Sequence, residues 1–285
     1  VSPTAFVNGA FVPLAEAKVS VFDRGFLFAD GIYEVCAVLD GRLVDNPSHL
    51  ARLERSLGEI EMPLPMPADE IARVQKELVA RNELREGLVY MQVTRGATAE
   101  RDFLFPTATP QTVVMFTQQK SYIEAPGAKT GIALKSVADI RWDRRDIKSV
   151  GLLAQVLAKE IARKAGCQEA LLVEDGMVTE AGSSTPFIVT HDGTVVTRQN
   201  SHALLPGCTR LAIMQLAAEH QIKIVERPFT VAEAQGAAEV FITSATSFVM
   251  PVVRIDAATI GAGAPGPMTL RLRDIYIDMA RRSPA

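Results

Sequence analysis

Apolar and polar positions alternate, or gather into short apolar runs, through the opening stretch of the chain. Ala5–Val12 reads as an apolar strand broken by Asn8-Gly9, a pair suited to a tight turn. Gly31–Val38, then Asp40-Gly41, then Arg42–Val44 reads as a hairpin. The period changes over Pro47–Ile60, where Leu50, Leu53, Leu57 and Ile60 recur at helical spacing, with Ser48 as the expected N-cap. A second helix is predicted over Ala68–Leu84, and β-branched strands over Leu88–Thr94 and Thr112–Thr117. Gln118–Thr130 is polar, carries Pro126-Gly127 and reads as a linker. Beyond it come a strand at Ile132–Val137 and a helix at Ser149–Ala165. Val150, Leu153, Ala154, Leu157 and Ile161 share one face of that helix, and Gly166 stops it. Strands at Ala170–Val173 and Thr185–Thr190 flank Asp175-Gly176, a helix follows Gly207, and Val240–Thr243 is a further strand. The pattern predicts a mixed α/β (α+β) protein in two parts: residues 1–120, a linker at 121–130, and residues 131–285.

Composition narrows the classes. Of 285 residues, 48% are hydrophobic and 22% charged, enough apolar material for a large core. The net charge of −3 and the absence of a basic run exclude a phosphate-backbone binder as the main expectation, so no nucleic acid partner is expected. Cys36, Cys167 and Cys208 are odd in number and widely spaced, which excludes a disulfide framework and fits a reducing cytoplasm. His49, His191, His202 and His220 form no paired ligand motif, so no metal is expected. The first residues lack a basic segment leading into an apolar run, and no apolar stretch nears the roughly 18 residues of a membrane span, so neither a leader nor a membrane is expected.

Several residues can carry chemistry. Lys148 ends a charged stretch, ADIRWDRRDIKS, just before an apolar helix; at a helix N-terminus its ammonium form is disfavoured, which suits an amine that must attack a carbonyl. Its local context also admits a plainer reading, a solvated lysine beside Asp143 and Asp146. Glu180, in VTEAGSSTPF, can pair with a protonated ring nitrogen, or sit as an exposed loop acid. Leu205–Arg210 opens a helix with Gly207 and offers backbone N–H groups to an anion, with Thr209 adding a hydroxyl. Ser244–Ser247 ends a strand and can form a similar nest, or a polar turn. Arg52 falls off the leucine stripe of its helix and suits either a phosphate or solvent. Tyr33 can present its hydroxyl to a substrate or serve as a buried structural tyrosine. Arg95 and Arg101 can each bind a carboxylate.

Taken in order, DRGFLFADGIYEV, HLARL, YMQVTRG, DIRWDRRDIKSVGLL, TEAGSSTPF, LPGCTR and FITSATS resemble the class IV, or fold-type IV, pyridoxal-phosphate-dependent aminotransferases over nearly the whole chain. The lysine stands 32 residues before the glutamate in this ordered set. The resemblance is strongest to the group acting on D-amino acids. It implies a smaller N-terminal α/β domain, a larger C-terminal domain with a pseudo-barrel, and a homodimer whose active site lies between domains and borrows residues from a second subunit. It implies pyridoxal 5′-phosphate as cofactor, with Lys148 as the Schiff-base lysine and proton carrier and Glu180 on the pyridinium nitrogen. Arg52, Thr209 and the backbone of Cys208, Ala245 and Thr246 would hold the phosphate, with Ser183 and Ser184 near the cofactor. Tyr33, Tyr90 and Arg101 would meet the substrate. The implied reaction is ping-pong transamination of D-alanine- or D-glutamate-type substrates with 2-oxo acids. Two residues after Arg101, where the D-amino-acid group carries a histidine, this chain has Phe103. The same motifs also resemble branched-chain aminotransferases, (R)-amine transaminases and aminodeoxychorismate lyases.

Overall fold

The computed structural model describes residues 3–282. Val1, Ser2 and Ser283–Ala285, at the two ends of the expected domains, lie outside the described residues. The chain divides into two compact units. One comprises residues up to Lys120, Ile147–Gly151 and Arg281 onward; the other comprises Ser121–Asp146 and Leu152–Ala280.

The first unit contains β1 (Thr4–Val7), β2 (Ala10–Pro13), α1 (Arg24–Phe28), β3 (Gly31–Leu39), β4 (Arg42–Leu43), α2 (Asn46–Gly58), α3 (Ala68–Arg81), β5 (Glu86–Thr94) and β6 (Thr112–Gln119). Its six strands form one sheet in the order β2-β1-β6-β5-β3-β4, every neighbouring pair antiparallel. The hairpins follow from their turns: Asn8-Gly9 and Asp40-Gly41 all take positive φ, which matches the strand twist. Leu53 and Leu57 of α2 and Ile71, Val74 and Leu78 of α3 pack on Ile32, Met91, Val93, Val113 and Met115. α2 starts earlier than expected. Asp45, in the left-handed conformation, precedes it without a side-chain cap, and the N–H of Ser48 bonds back to the Asp45 carbonyl at 3.0 Å, so Ser48 lies inside the first turn.

The second unit contains α4 (Pro126–Thr130), β7 (Ile132–Ala138), α5 (Leu153–Lys164), β8 (Glu169–Glu174), β9 (Met177–Ala181), β10 (Thr185–Val189), β11 (Val195–Thr197), α6 (Cys208–Glu219), β12 (Ile224–Glu226), α7 (Val231–Gln235), β13 (Glu239–Ser244), β14 (Phe248–Ile255), β15 (Ala258–Thr259) and α8 (Pro267–Arg281). Its mixed sheet runs β12-β11-β10-β13-β14-β7-β8-β9, with β15 added to β14. Leu134, Leu171, Val178, Ile188, Val196, Val240, Ile242 and Val252 form its main core. α5 departs from expectation twice. It begins at Leu153 rather than Ser149. The small residues Ala158 and Ala162 face the sheet, while Leu153 is 71% and Leu157 47% exposed, so the predicted apolar face points to solvent. Periodicity identifies a face but not what covers it. No helix among the described residues is long and apolar enough to cross a membrane.

Candidate active site

Lys148 is positioned by strand pairing. β4 covers only Val38 and Leu39 at the far end of β3, leaving the near end of that edge open. Residues 148–150 fill it. Tyr33 N–H donates to the Lys148 carbonyl at 3.0 Å, and Val150 N–H to the Gly31 carbonyl at 3.0 Å, with an antiparallel bridge between Ile32 and Ser149. The N–H of Lys148 donates to the buried Ser56 hydroxyl of α2 at 3.3 Å. Its half-buried side chain puts Nζ 4.2 Å from the centroid of the Tyr33 ring. The helix-dipole argument for this amine does not hold, because α5 begins five residues later. Lys148 is held by a sheet edge and an aromatic face instead. Tyr33 in turn stacks on Tyr90 at 5.7 Å, and Tyr90 on Phe116 at 4.8 Å. The Tyr90 hydroxyl donates to Gln92 Oε1 at 2.8 Å; burial, aided by Tyr33, pushes its pKa up to about 12, so it stays a donor at any working pH.

Successive strand residues face opposite ways, so Glu34 turns from the Tyr33 face toward α2. There Arg52 grips it side-on, Nε to Oε1 at 2.8 Å and Nη2 to Oε2 at 2.9 Å, while His49 Nδ1 lies 2.8 Å from Oε2. All three side chains are buried. Burial alone opposes a charge on Glu34, but the charge and hydrogen bonds of Arg52, with His49, outweigh it and hold the carboxyl far below its ordinary range. Arg52 is thus fixed in plane before any ligand arrives.

The loop after β5 is strapped from beneath. Arg24 Nη1 donates to the Asp102 carbonyl at 2.6 Å and Nη2 to the Phe103 carbonyl at 3.2 Å, and its Nε shares Asp30 with Arg95 at 2.8 Å each. Arg95 therefore serves the scaffold, its guanidinium 3.6 Å over the Phe105 ring. Arg101 is exposed and rests on Phe28 and Phe103, at 4.7 and 5.0 Å from the ring centroids. Among the described residues no hydrogen bond or ring contact joins it to Tyr33 or Tyr90.

In the second unit Glu180 sits near the end of β9, 6% exposed. Arg141 Nη1 donates to its Oε2. The same guanidinium is bidentate on Asp139, at 2.9 Å through Nε and 2.8 Å through Nη2, and Thr179 donates to Asp139 at 2.6 Å. Arg145, paired with Glu174, lies 3.4 Å from Asp139 as well. Burial works against Asp139, yet Arg141 and Thr179 hold its carboxyl below the usual range; burial also opposes the Arg141 charge, and the two carboxylates more than restore it. The arrangement sets the Glu180 carboxyl against a fixed guanidinium and aims it.

Nearby elements of this unit are rich in donors. Gly207 precedes α6 without a side-chain cap, and a Cβ there would lie 3.0 Å from Thr185 Oγ1, so glycine is the residue that fits without displacing a neighbour. Cys208 and Thr209 form the buried first turn. Among the described residues, the buried hydroxyls of Ser184 and Thr209 have no hydrogen-bond partner. A buried hydroxyl left unpaired costs about 1–3 kcal/mol, which an acceptor at this helix N-terminus would relieve. Ala245 and Thr246 occupy the turn from β13 to β14, where Ser244 Oγ lies 2.7 Å from Ser247 Oγ and 3.4 Å from Thr246 Oγ1. Ser183 is exposed, accepting from Lys159 at 2.8 Å and donating to Glu169 at 3.1 Å.

Sequence reasoning passed over Glu34, His49, Asp139 and Arg141. The first two left a trace, an acid inside the apolar run of β3 and a His–Arg pair at i, i+3 off the leucine stripe. Arg141 left none, because its neighbours in sequence are charged.

Residues 31–255 match the family described as amino-transferase class IV. A D-alanine aminotransferase of Bacillus licheniformis is 40% identical over 263 residues, covering 92% of each chain. One of Staphylococcus haemolyticus is 38% identical, covering 94% of this chain and 95% of that one. Among solved structures, a T.th. branched-chain amino acid aminotransferase with pyridoxamine 5′-phosphate superposes with a TM-score of 0.91 at 27% identity, over 100% of this chain and 96% of that one. The branched-chain aminotransferase of Escherichia coli, at 22% identity and a TM-score of 0.88, covers 98% of this chain and 95% of that one and shares the fold.

Proposed function

Because the chain belongs to the class IV aminotransferases, we propose that it moves the amino group of a D-amino acid to a 2-oxo acid, with pyridoxal 5′-phosphate as cofactor. The observation that carries the D-amino-acid reading is the 40% identity, over 92% of the chain, to a D-alanine aminotransferase. The donors of each unit suit the cofactor's chemistry: in the first an amine beside an aromatic face, and in the second a buried, arginine-paired carboxyl and the hydroxyl of Thr209 in the first turn of α6.

When bound, pyridoxal 5′-phosphate supplies a conjugated electron sink that lets an α-proton leave. Lys148 would hold the cofactor through Nζ, and the same nitrogen would accept the proton from the substrate α-carbon and return it on the product side. Glu180, oriented by Arg141, would hold a proton on the ring nitrogen. Arg52, fixed by Glu34 and His49, acts on the phosphate together with Thr209, Ser184 and the backbone of Cys208, Ala245 and Thr246, with Ser183 close by. Tyr33, Tyr90 and Arg101 recognise the substrate carboxylate. One product leaves before the second substrate enters, so the kinetics are ping-pong. The protein's partner is a second copy of itself, a reading supported by the exposed apolar face of α5 at Leu153, Val156, Leu157 and Ile161.

The test is a half-reaction panel. Protein loaded with pyridoxal 5′-phosphate absorbs in the visible violet; D-alanine bleaches this band, whereas L-leucine and a simple amine leave it. Bleaching by L-leucine alone sinks the D-amino-acid reading in favour of a branched-chain one. Pyruvate release from aminodeoxychorismate without an acceptor points to the lyase.

A further inference from the structure

The corner from β13 to β14 holds a conformation that its own residues disfavour. Phe248, fully buried, takes φ 57°, a region that bulky L-residues rarely enter. Aromatic packing keeps it there: its ring lies 4.9 Å from Tyr122 and meets Tyr276 edge-on at 5.1 Å. Behind the same corner α8 delivers Arg273, 4% exposed. Its hydrogen-bond acceptors are three main-chain carbonyls, those of Ser247 at 3.3 Å, Val249 at 2.8 Å and Tyr122.

This differs from every other buried arginine described above. Arg24, Arg52, Arg95, Arg141 and Arg145 each meet a carboxylate. Among the described residues the hydrogen bonds of Arg273 go to carbonyl dipoles and no carboxylate touches it; burial pushes its pKa down, with the charge of exposed Asp274 opposing. Burying a cation that no carboxylate touches is unfavourable, and an anion bound nearby would offset that cost. The turn that Arg273 braces is Ser244–Ser247, the stretch of hydroxyls and N–H groups read above as part of the phosphate cradle. In a trans peptide the carbonyl and the following N–H point opposite ways. Drawing the Ser247 carbonyl toward Arg273 therefore fixes the peptide planes of the corner and places a full positive charge behind it.

We propose that Arg273 is a positioning residue for the cofactor phosphate: with the strained Phe248 it fixes the shape of the Ser244–Ser247 turn and supplies a buried positive field that favours a dianion there. The inference rests on the cofactor reading above. Arg273 touches no ligand. Its effect is felt by the phosphate and not by the ring or the amine.

The experiment compares apoprotein affinities for pyridoxal 5′-phosphate and for pyridoxal, which lacks the phosphate, in wild type, Arg273→Gln and Arg273→Lys. Arg273→Gln should weaken the phosphorylated ligand roughly 10- to 100-fold, the size of a lost charge-assisted contribution. Its affinity for pyridoxal should stay within about twofold, and Arg273→Lys, which keeps a cation but not the fork that serves three carbonyls, should restore only part of the preference. Equal loss for both ligands, or none, overturns the inference, since a merely structural role lowers both together. Should Arg273→Gln fail to fold, Asp274→Asn gives an independent reading: removing the opposing exposed acid should raise the preference for the phosphorylated ligand by about twofold at low salt. An unchanged preference there overturns the proposal. A wild type that binds neither ligand removes the cofactor reading and this inference with it; a wild type that prefers the phosphorylated form while Arg273→Gln shows the same preference removes this inference alone.

Discussion

Two buried arginine–carboxylate networks, one in each unit, use the same chemistry in opposite senses. In the first, Glu34 takes the Nε–Nη2 side of Arg52 and a third contact from His49. On the function proposed above, the acid is scaffold and the arginine is the group put to use. In the second, Arg141 gives two donors to Asp139 and reaches Glu180 with Nη1. There, on the same proposal, the arginine is scaffold and the acid is put to use. Each functional ion is thereby oriented by a partner that has no other duty, and each unit can prepare its own charge before a ligand arrives.

Substitutions of the two glutamates should separate these roles. Glu180→Gln is expected to lower kcat by roughly 10²–10⁴, while stability moves by no more than about 1.5 kcal/mol because Arg141 keeps Asp139. Steady-state kinetics beside urea melts would check both numbers. Glu34→Gln should do the reverse. It strands Arg52 inside the unit and costs about 3–5 kcal/mol of stability, with weakened cofactor affinity as the secondary effect. If Glu34→Gln proves the milder of the two in urea, the assignment of scaffold and functional ion is inverted.

Acid titration sharpens the same contrast. In the unfolded chain Glu34 titrates near its ordinary value of 4.5, whereas in the fold it is held far lower. The stabilisation from this pair is therefore full above pH 4.5 and declines as pH falls toward the folded value, because the unfolded state binds the proton first. The stability gap between wild type and Glu34→Gln should narrow steadily below pH 4.5 and stay constant above it; a gap that widens on acidification would falsify the pairing. The smallest effect belongs to Arg101, which is exposed and outside both networks. Arg101→Ala should raise KM for carboxylate-bearing substrates by about tenfold and leave the melting curve unmoved. An unchanged KM would assign carboxylate recognition to another group.

Much of the fold was legible because its signals are local. Asn8-Gly9, Asp40-Gly41 and Asp175-Gly176 each adopt positive φ at both residues, as their side chains dictate, and the leucine spacing of α2 found its buried face. The failures share one cause. The seating of Lys148 on the edge of β3, the ion pair from Arg141 to Glu180 and the outward face of α5 all depend on what lies opposite, and nothing in a short window of sequence reports that. Lys148 and Glu180 stood out through an ordered set of motifs rather than through their surroundings. Read locally, each was an ordinary surface charge.

The second arm of the Asp40-Gly41 hairpin is only two residues long, and this brevity leaves the front of β3 available to residues 148–150. A longer arm would occupy the same row of amides and evict the amine from its seat, though the hairpin itself bears no reactive group. If Lys148 works as proposed, the reach of a plain connecting ribbon acts as a ruler for the reaction, and lengthening that ribbon should silence turnover with every chemical side chain left in place.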